Sequence, residues 1–245
     1  MPTDLAEKVV AATRALSDEM DALSFSDPVA FVYNPLVYAR NTHEEYLRKF
    51  CQHKKRVIFI GMNPGPFGMA QTGVPFGEIA AVQDWLGIFG FVGKPPREHP
   101  AKPVDGFACK RSEVSGRRLW GLFKEKFQTP ENFFAEHFVA NFCPLLFVAG
   151  NERGKNLTPE ELSPEEKKSV LAPCDKFLRT LTELLEPEWL VGVGAFAMKA
   201  AERACAGLPV KISTILHPSP ASPLANKGWA KKAAAALTRS GIWRE

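Results

Sequence analysis

Four short, nearly unbroken apolar runs, at 56–61, 138–142, 189–193 and 210–216, constrain the fold more than any other feature. None is long enough for a core helix, and none alternates strictly between polar and apolar residues. Each therefore reads as a strand buried on both faces, the pattern of a parallel sheet. Helical stretches separate or follow them, at about 113–127, from Ser163 onwards, at 195–205 and at 226–239. Parallel neighbours need crossovers of this length, and such crossovers are right-handed. The fold class that follows is α/β: a single domain over 1–245 with a central four-stranded parallel sheet flanked by helices.

Local signals punctuate this scheme. Leu5, Val9, Ala12, Leu16, Met20 and Leu23 recur every three or four residues. A helix is expected there, over about 3–23, opened by a capping box at Asp4 and Glu7. Thr42 and Glu45 have the same spacing and predict a short helix towards Cys51. Ser163-Pro164-Glu165-Glu166 combines a capping box with proline at the first helical position. Loops are expected around Asp27-Pro28 and Asn34-Pro35, and over 149–158. The longest aperiodic stretch, about 90–110, sets Pro95, Pro96, Pro100 and Pro103 among Lys94, Arg97, Lys102 and Lys110. Its flanks look like parts of one sheet system, so it is an insertion within the domain.

Composition bounds the function. Hydrophobic residues make up 45% and charged residues 24% of the chain, an ordinary globular balance. No apolar run approaches the roughly 18 residues of a membrane helix, so no membrane partner is expected. Met1-Pro2-Thr3-Asp4 lacks a basic-then-apolar leader pattern. A cytoplasmic location is expected, nucleoid-associated in a bacterium and nuclear in a eukaryote. Cys51, Cys109, Cys143, Cys174 and Cys205 form no Cys-x-x-Cys pair and read as reduced core thiols, without a zinc ribbon or iron–sulfur cradle. A net charge of +4 permits a polyanionic partner without requiring one.

Ligands of open parallel sheets bind beyond the carboxyl ends of the strands. After the first run comes a Gly- and Pro-dense loop, residues 61–78, carrying Asn63; the second ends at Asn141 and the fourth at His217. The loop lacks the Gly-Lys-Ser/Thr ending of a phosphate-binding loop and the glycine spacing of a dinucleotide fingerprint. Backbone amides, an Asn side chain and Phe or Met faces suit a flat heterocycle with polar edges. An amide side chain complements both a carbonyl and a ring N–H, as on a pyrimidine edge.

These residues resemble the single-strand-selective monofunctional uracil-DNA glycosylases. The likeness rests on residues 61–78, on Asn141-Phe142-Cys143-Pro144-Leu145-Leu146-Phe147, and on Glu113-Val114-Ser115-Gly116 through Trp120. It also rests on His217-Pro218-Ser219-Pro220 with Asn226-Lys227-Gly228-Trp229, and spans roughly 30–230. The resemblance implies the uracil-glycosylase fold, a DNA-repair hydrolase that flips out and excises uracil and some oxidised or 5-modified pyrimidines, and no metal or organic cofactor. It gives His217 the role of donor to uracil O2 and places Gly65 and Met69 beside the 5-substituent through their backbone. Met62 belongs to the same matched loop.

The chemistry agrees with that assignment. Breaking the N-glycosidic bond leaves negative charge on the base, and one preorganised donor lowers such a barrier by about 3–4 kcal/mol. Asn63 cannot usefully accept a proton, so it orients the attacking water; classical uracil glycosylases carry Asp there. Asn141 would read the flipped pyrimidine and Phe76 would stack on it. No lysine in the matched pocket motifs offers a Schiff-base nucleophile, which predicts a monofunctional enzyme; it is expected to act on DNA as a monomer. Pro218, Ser219, Pro220 and Ala221 are placed to wedge into the duplex, and Lys227, with Lys231 and Lys232, to meet phosphates. Vertebrate members carry Arg where this chain has Ala221, a weaker plug.

Plainer roles compete. Asn63 can cap a turn, Asn141 can bond backbone, Phe76 and Met62 can be core, and Glu78 and Asp84 can be salt-bridging surface residues. The charges of 94–111 suit a solvated face as well as a DNA surface. Two rival functions remain: a catalytically weak module that binds damaged DNA, and a nucleoside N-glycosidase.

Overall fold

The computed structural model describes residues 2–244. Its elements in chain order are α1 (Asp4–Asp21), β1 (Val29–Tyr33), α2 (Pro35–Tyr38), α3 (Arg40–Phe50), β2 (Val57–Gly61) and α4 (Met69–Thr72). Then come α5 (Val114–Phe127), α6 (Pro130–Phe134), β3 (His137–Asn141), β4 (Leu146–Ala149), β5 (Asn156–Leu157) and α7 (Pro164–Leu185). The chain finishes with β6 (Trp189–Val193), α8 (Ala195–Ala204), β7 (Lys211–Ile215) and α9 (Trp229–Arg239).

The four apolar runs become one four-stranded sheet in the order β3-β2-β6-β7, parallel throughout. Every residue of β2 is buried, as a central strand covered on both faces requires. The chain leaves β2 first towards β3 and later returns to β6 on the other side. A crevice therefore opens at the carboxyl end of β2, and the register brings Asn141 beside Gly61 there.

The core buries nine of the chain's 18 phenylalanines. Phe123 and Phe133 stack at 4.3 Å between centroids, Phe50 and Phe134 at 3.7 Å, and Trp120 packs edge-on against Phe123 and Phe133. Each such ring contributes about 1.5–3 kcal/mol on burial. Cys51, Cys143, Cys174 and Cys205 are buried with them, whereas Cys109 is half-buried in the insertion, contrary to the core expectation.

Three local expectations fail, the first two because a better hydrogen-bond partner lies elsewhere. Thr3, not Asp4, caps α1 by accepting from the Ala6 N–H, and Glu7 pairs with Arg48 instead. Thr42 lies inside α3, where its hydroxyl donates to the Ala39 and Thr72 carbonyls. The last helix starts at Trp229 rather than Asn226, because 219–228 is a series of turns. The box at Ser163 and Glu166 forms as read.

A second sheet, β1-β4-β5, is antiparallel and lay outside the sequence reading. Two X-Pro steps frame β1, and β4 begins two residues after Pro144, a setting that reads as loop in the sequence. This sheet carries the insertion: the Tyr33 hydroxyl accepts from the His99 N–H and donates to the Lys102 carbonyl.

Candidate active site

A cavity of about 550 Å³ fills the crevice at the strand ends and is lined by Met62, Asn63, Gly65, Phe76, Asn141 and His217, among others. Glu113 from the start of α5 and Asn156 and Thr158 around β5 also line it.

Each side chain is aimed by a specific contact. The Phe142 and Cys143 N–H groups donate to the Gly61 and Met62 carbonyls, lashing the first loop to the end of β3. Asn63 Nδ2 donates to the Leu145 carbonyl at 3.2 Å, which leaves Oδ1 as the end available to a water. Asn141 Nδ2 donates to Met69 Sδ at 3.2 Å. Met69 is buried behind Asn141 and so sets its orientation, rather than lining the cavity itself.

Phe76 adopts φ +52°, a left-handed conformation that costs a bulky residue on the order of 1–3 kcal/mol. Its carbonyl accepts from Trp120 Nε1 at 3.0 Å and from the Glu78 N–H at 2.7 Å, which holds it there. The ring lies over Gly61, where a Cβ would come within 2.6 Å of it and collide with Asn141 Oδ1. Glycine at 61 is thus the condition for bringing ring and amide together. The Phe76 and His217 rings face the cavity at 6.2 Å between centroids.

His217 follows β7 by two residues. Burial holds its pKa below the usual value, so the ring is neutral at pH 7. Its Nδ1 accepts from the Ser219 N–H at 3.1 Å, which assigns the remaining proton to Nε2. The site thus contains a neutral imidazole with a fixed N–H donor, two oriented amides and an aromatic face.

The family model described as "Uracil DNA glycosylase superfamily" matches residues 48–238. The single-strand selective monofunctional uracil DNA glycosylase of Bos taurus is 48% identical over 243 residues, covering 98% of this chain and 89% of that one. Its counterpart in Rattus norvegicus is 48% identical over 240 residues, covering 97% and 86%. This chain belongs to the single-strand-selective monofunctional uracil-DNA glycosylase family. The crystal structure of SMUG2 from Pedobacter heparinus shares the fold, with a TM-score of 0.68 at 18% identity over 98% of this chain and 99% of that one.

In this glycosylase-family chain the segment after His217 is braced from α5. Arg118 donates to the Pro218 carbonyl and to Asn226 Oδ1, each at 2.9 Å, and Asn226 Nδ2 donates to the Pro220 carbonyl. Trp229 Nε1 donates to the Leu216 carbonyl and pins α9 beneath the loop. Pro218 is buried, while Ser219 and Pro220 line the cavity mouth. Ala221 is exposed, and so is Leu224, a residue 60% accessible. Leu224, not position 221, is the large exposed apolar side chain of this segment. Lys227 and Lys231 are exposed, whereas Lys232 is tied to the Leu224 carbonyl at 2.9 Å.

The insertion divides. Lys94 pairs with Glu98, and Arg97 lies over Phe31 on the second sheet. Arg111 stacks 3.7 Å from the Phe67 centroid with Lys102 at 5.2 Å, and Phe67 and Arg111 line the cavity. Glu78 is neither exposed nor salt-bridged: buried, it accepts from Ser112 Oγ and the Ala81 N–H. Asp84 is exposed. In the sequence Glu113 is only part of the matched 113–120 segment; the signal that marks it, a carboxylate facing a glycine-rich loop, is three-dimensional.

Proposed function

We propose that this family member excises uracil from DNA as a monofunctional glycosylase, with the base flipped into the cavity. Phe76 stacks on the ring, Asn141 reads the N3–O4 edge and His217 donates Nε2–H to O2. The C1′–N1 bond breaks with its electron pair passing to the base, whose negative charge the His217 donor stabilises. A water held by Asn63 Oδ1 then adds to the cationic sugar and loses its proton to the departed base or to solvent, leaving an abasic site. Because Asn63 cannot act as a base, stabilisation of the leaving group carries most of the catalysis.

The observation that carries this reading is the Ser219 N–H bond to His217 Nδ1, which fixes a neutral imidazole as a donor into a cavity it shares with Asn63, Asn141 and Phe76. DNA is the partner on family grounds; Arg111, Lys102, Lys227 and Lys231 supply the cationic contacts. Leu224 is the residue suited to fill the gap left in a duplex, Ala221 being too small. We place a monomer on the DNA, and a cytoplasmic or nuclear setting follows from that substrate.

The test uses oligonucleotides carrying one deoxyuridine, single- and double-stranded, followed by alkali. The expected result is free uracil, with strand breakage only after alkali and binding that weakens with salt. No release from either strand form, or release from free deoxyuridine alone, contradicts the proposal.

A further inference from the structure

Glu113 is the N-cap residue of α5, but its carboxyl makes no full capping bond to that helix, the Gly116 N–H only lying close enough to favour its charge. It reaches instead against the Gly65–Gly68 turn and lines the catalytic cavity. A Cβ at position 65 or 68 would collide with the carboxyl, and one at 116 would come within 2.9 Å of Oε2. Three glycines therefore leave the space this group occupies. Its Oε2 is sealed from solvent and has no hydrogen-bond partner, which is costly for a buried acceptor unless something supplies the missing bond.

The charged surroundings decide which form is present. Burial, and after it the charge of Glu78, push the Glu113 pKa up to about 7, with only the Gly116 N–H acting the other way. Arg111 is drawn off over Phe67, and Arg118 is committed to Pro218 and Asn226. Arg117, on the next turn of α5, is exposed, and the 65–68 turn carries no titratable group. Across the cavity His217 is neutral.

We propose that Glu113 is a further base-binding residue, which works as a neutral carboxylic acid and donates its O–H to the oxygen on the C4–C5 side of the flipped pyrimidine. This rests on the reading above, in which His217 takes O2 and Asn141 the N3–O4 edge. Going round the ring from O2 past Asn141, the next side is C4–C5. Asn141 is held by Met69, and Met69 follows directly on the 65–68 turn that receives Glu113. In uracil the acceptor is O4. The proton stays on Glu113, and no bond to it forms or breaks covalently. An ionised Glu113 would set a negative charge beside the departing base anion in a poorly solvated cavity; the neutral acid adds a donor instead.

The sign of the pH dependence separates this role from that of a general base. Single-turnover release of uracil from a single-stranded oligonucleotide is followed from pH 5.5 to 9. In the native protein the rate is expected to fall about tenfold per pH unit once Glu113 ionises, as loss of one required proton dictates. Glu113→Gln keeps a donor that cannot ionise; whatever its rate at pH 6, its profile should remain level to pH 9. Glu78→Gln removes a neighbouring charge, so the fall should begin at lower pH with the plateau kept. A native rate that climbs with pH, or a Glu113→Gln profile that falls as the native one does, overturns the proposal. Absence of uracil release by the native protein at every pH contradicts the proposed function instead.

Discussion

The Ser219 main-chain N–H donates to His217 Nδ1 at 3.1 Å, and this one bond fixes the tautomer that the proposed catalysis depends on. The same segment is held from α5 by Arg118 and from α9 by Trp229, so the imidazole is presented by a braced loop. Arg118→Ala removes both the Pro218 and the Asn226 contacts. It is expected to lower turnover by roughly tenfold or more through misplacement of His217, with little loss of folding stability because the side chain is partly exposed. Kinetics on a uracil oligonucleotide beside a thermal melt check both halves of that statement.

Buried histidines set the acid stability. His43 and His137 are both buried, with pKa values pushed down to about 4, and His217 is lowered as well. The unfolded chain takes up these protons near pH 6.5 while the folded protein resists, so stability is full above that value and lost as pH falls towards 4. Each fully buried histidine contributes up to roughly 3 kcal/mol over that window. Tm measured from pH 7.5 to 4.5 should hold steady and then drop below about pH 6.5. A Tm unchanged down to pH 5 would refute this.

Gly61 makes room for both groups proposed to hold the base. Gly61→Ala places a methyl against Asn141 Oδ1 and the Phe76 ring. It is expected to cost about 1–3 kcal/mol of stability and, by displacing both contacts, about a hundredfold in uracil release. A folded Gly61→Ala protein with native activity would remove Asn141 and Phe76 from the base site.

Much of this was legible in the sequence. Three of the four strands announced themselves because a parallel strand covered on both faces has no solvent face to alternate with, as in β2; β7, at the sheet edge, exposes Lys211 and Thr214 and is not buried as expected. The antiparallel sheet did not, since β1 and β4 are short and bordered by proline, and their partners lie more than 100 residues apart. Asn63, Asn141 and His217 could be singled out because strand ends are where ligands bind. Their supports could not: the Met69 sulfur behind Asn141, the strained Phe76 backbone and the Glu113 carboxyl are all products of packing across distant segments. Leu224 shows the limit differently, for its exposure rather than its identity makes it notable.

Leu224 gives a strand-specific prediction. As an exposed apolar side chain on the loop after His217, it stabilises a flipped-out state only where a duplex gap has to be filled. Leu224→Ala should lower uracil release from double-stranded DNA by roughly tenfold and leave the single-stranded rate within about twofold. Equal losses on both substrates would indicate a general DNA contact.

The most direct test compares single-turnover uracil release by the native protein, Asn63→Ala and His217→Leu, alongside their affinity for the same single-stranded oligonucleotide. Loss of the His217 donor should cost about 3–4 kcal/mol of transition-state stabilisation, a rate drop of roughly a hundred- to a thousandfold, with DNA affinity nearly unchanged. Asn63→Ala should fall markedly too, without weakening binding. A His217→Leu protein that releases uracil at the native rate would contradict the account.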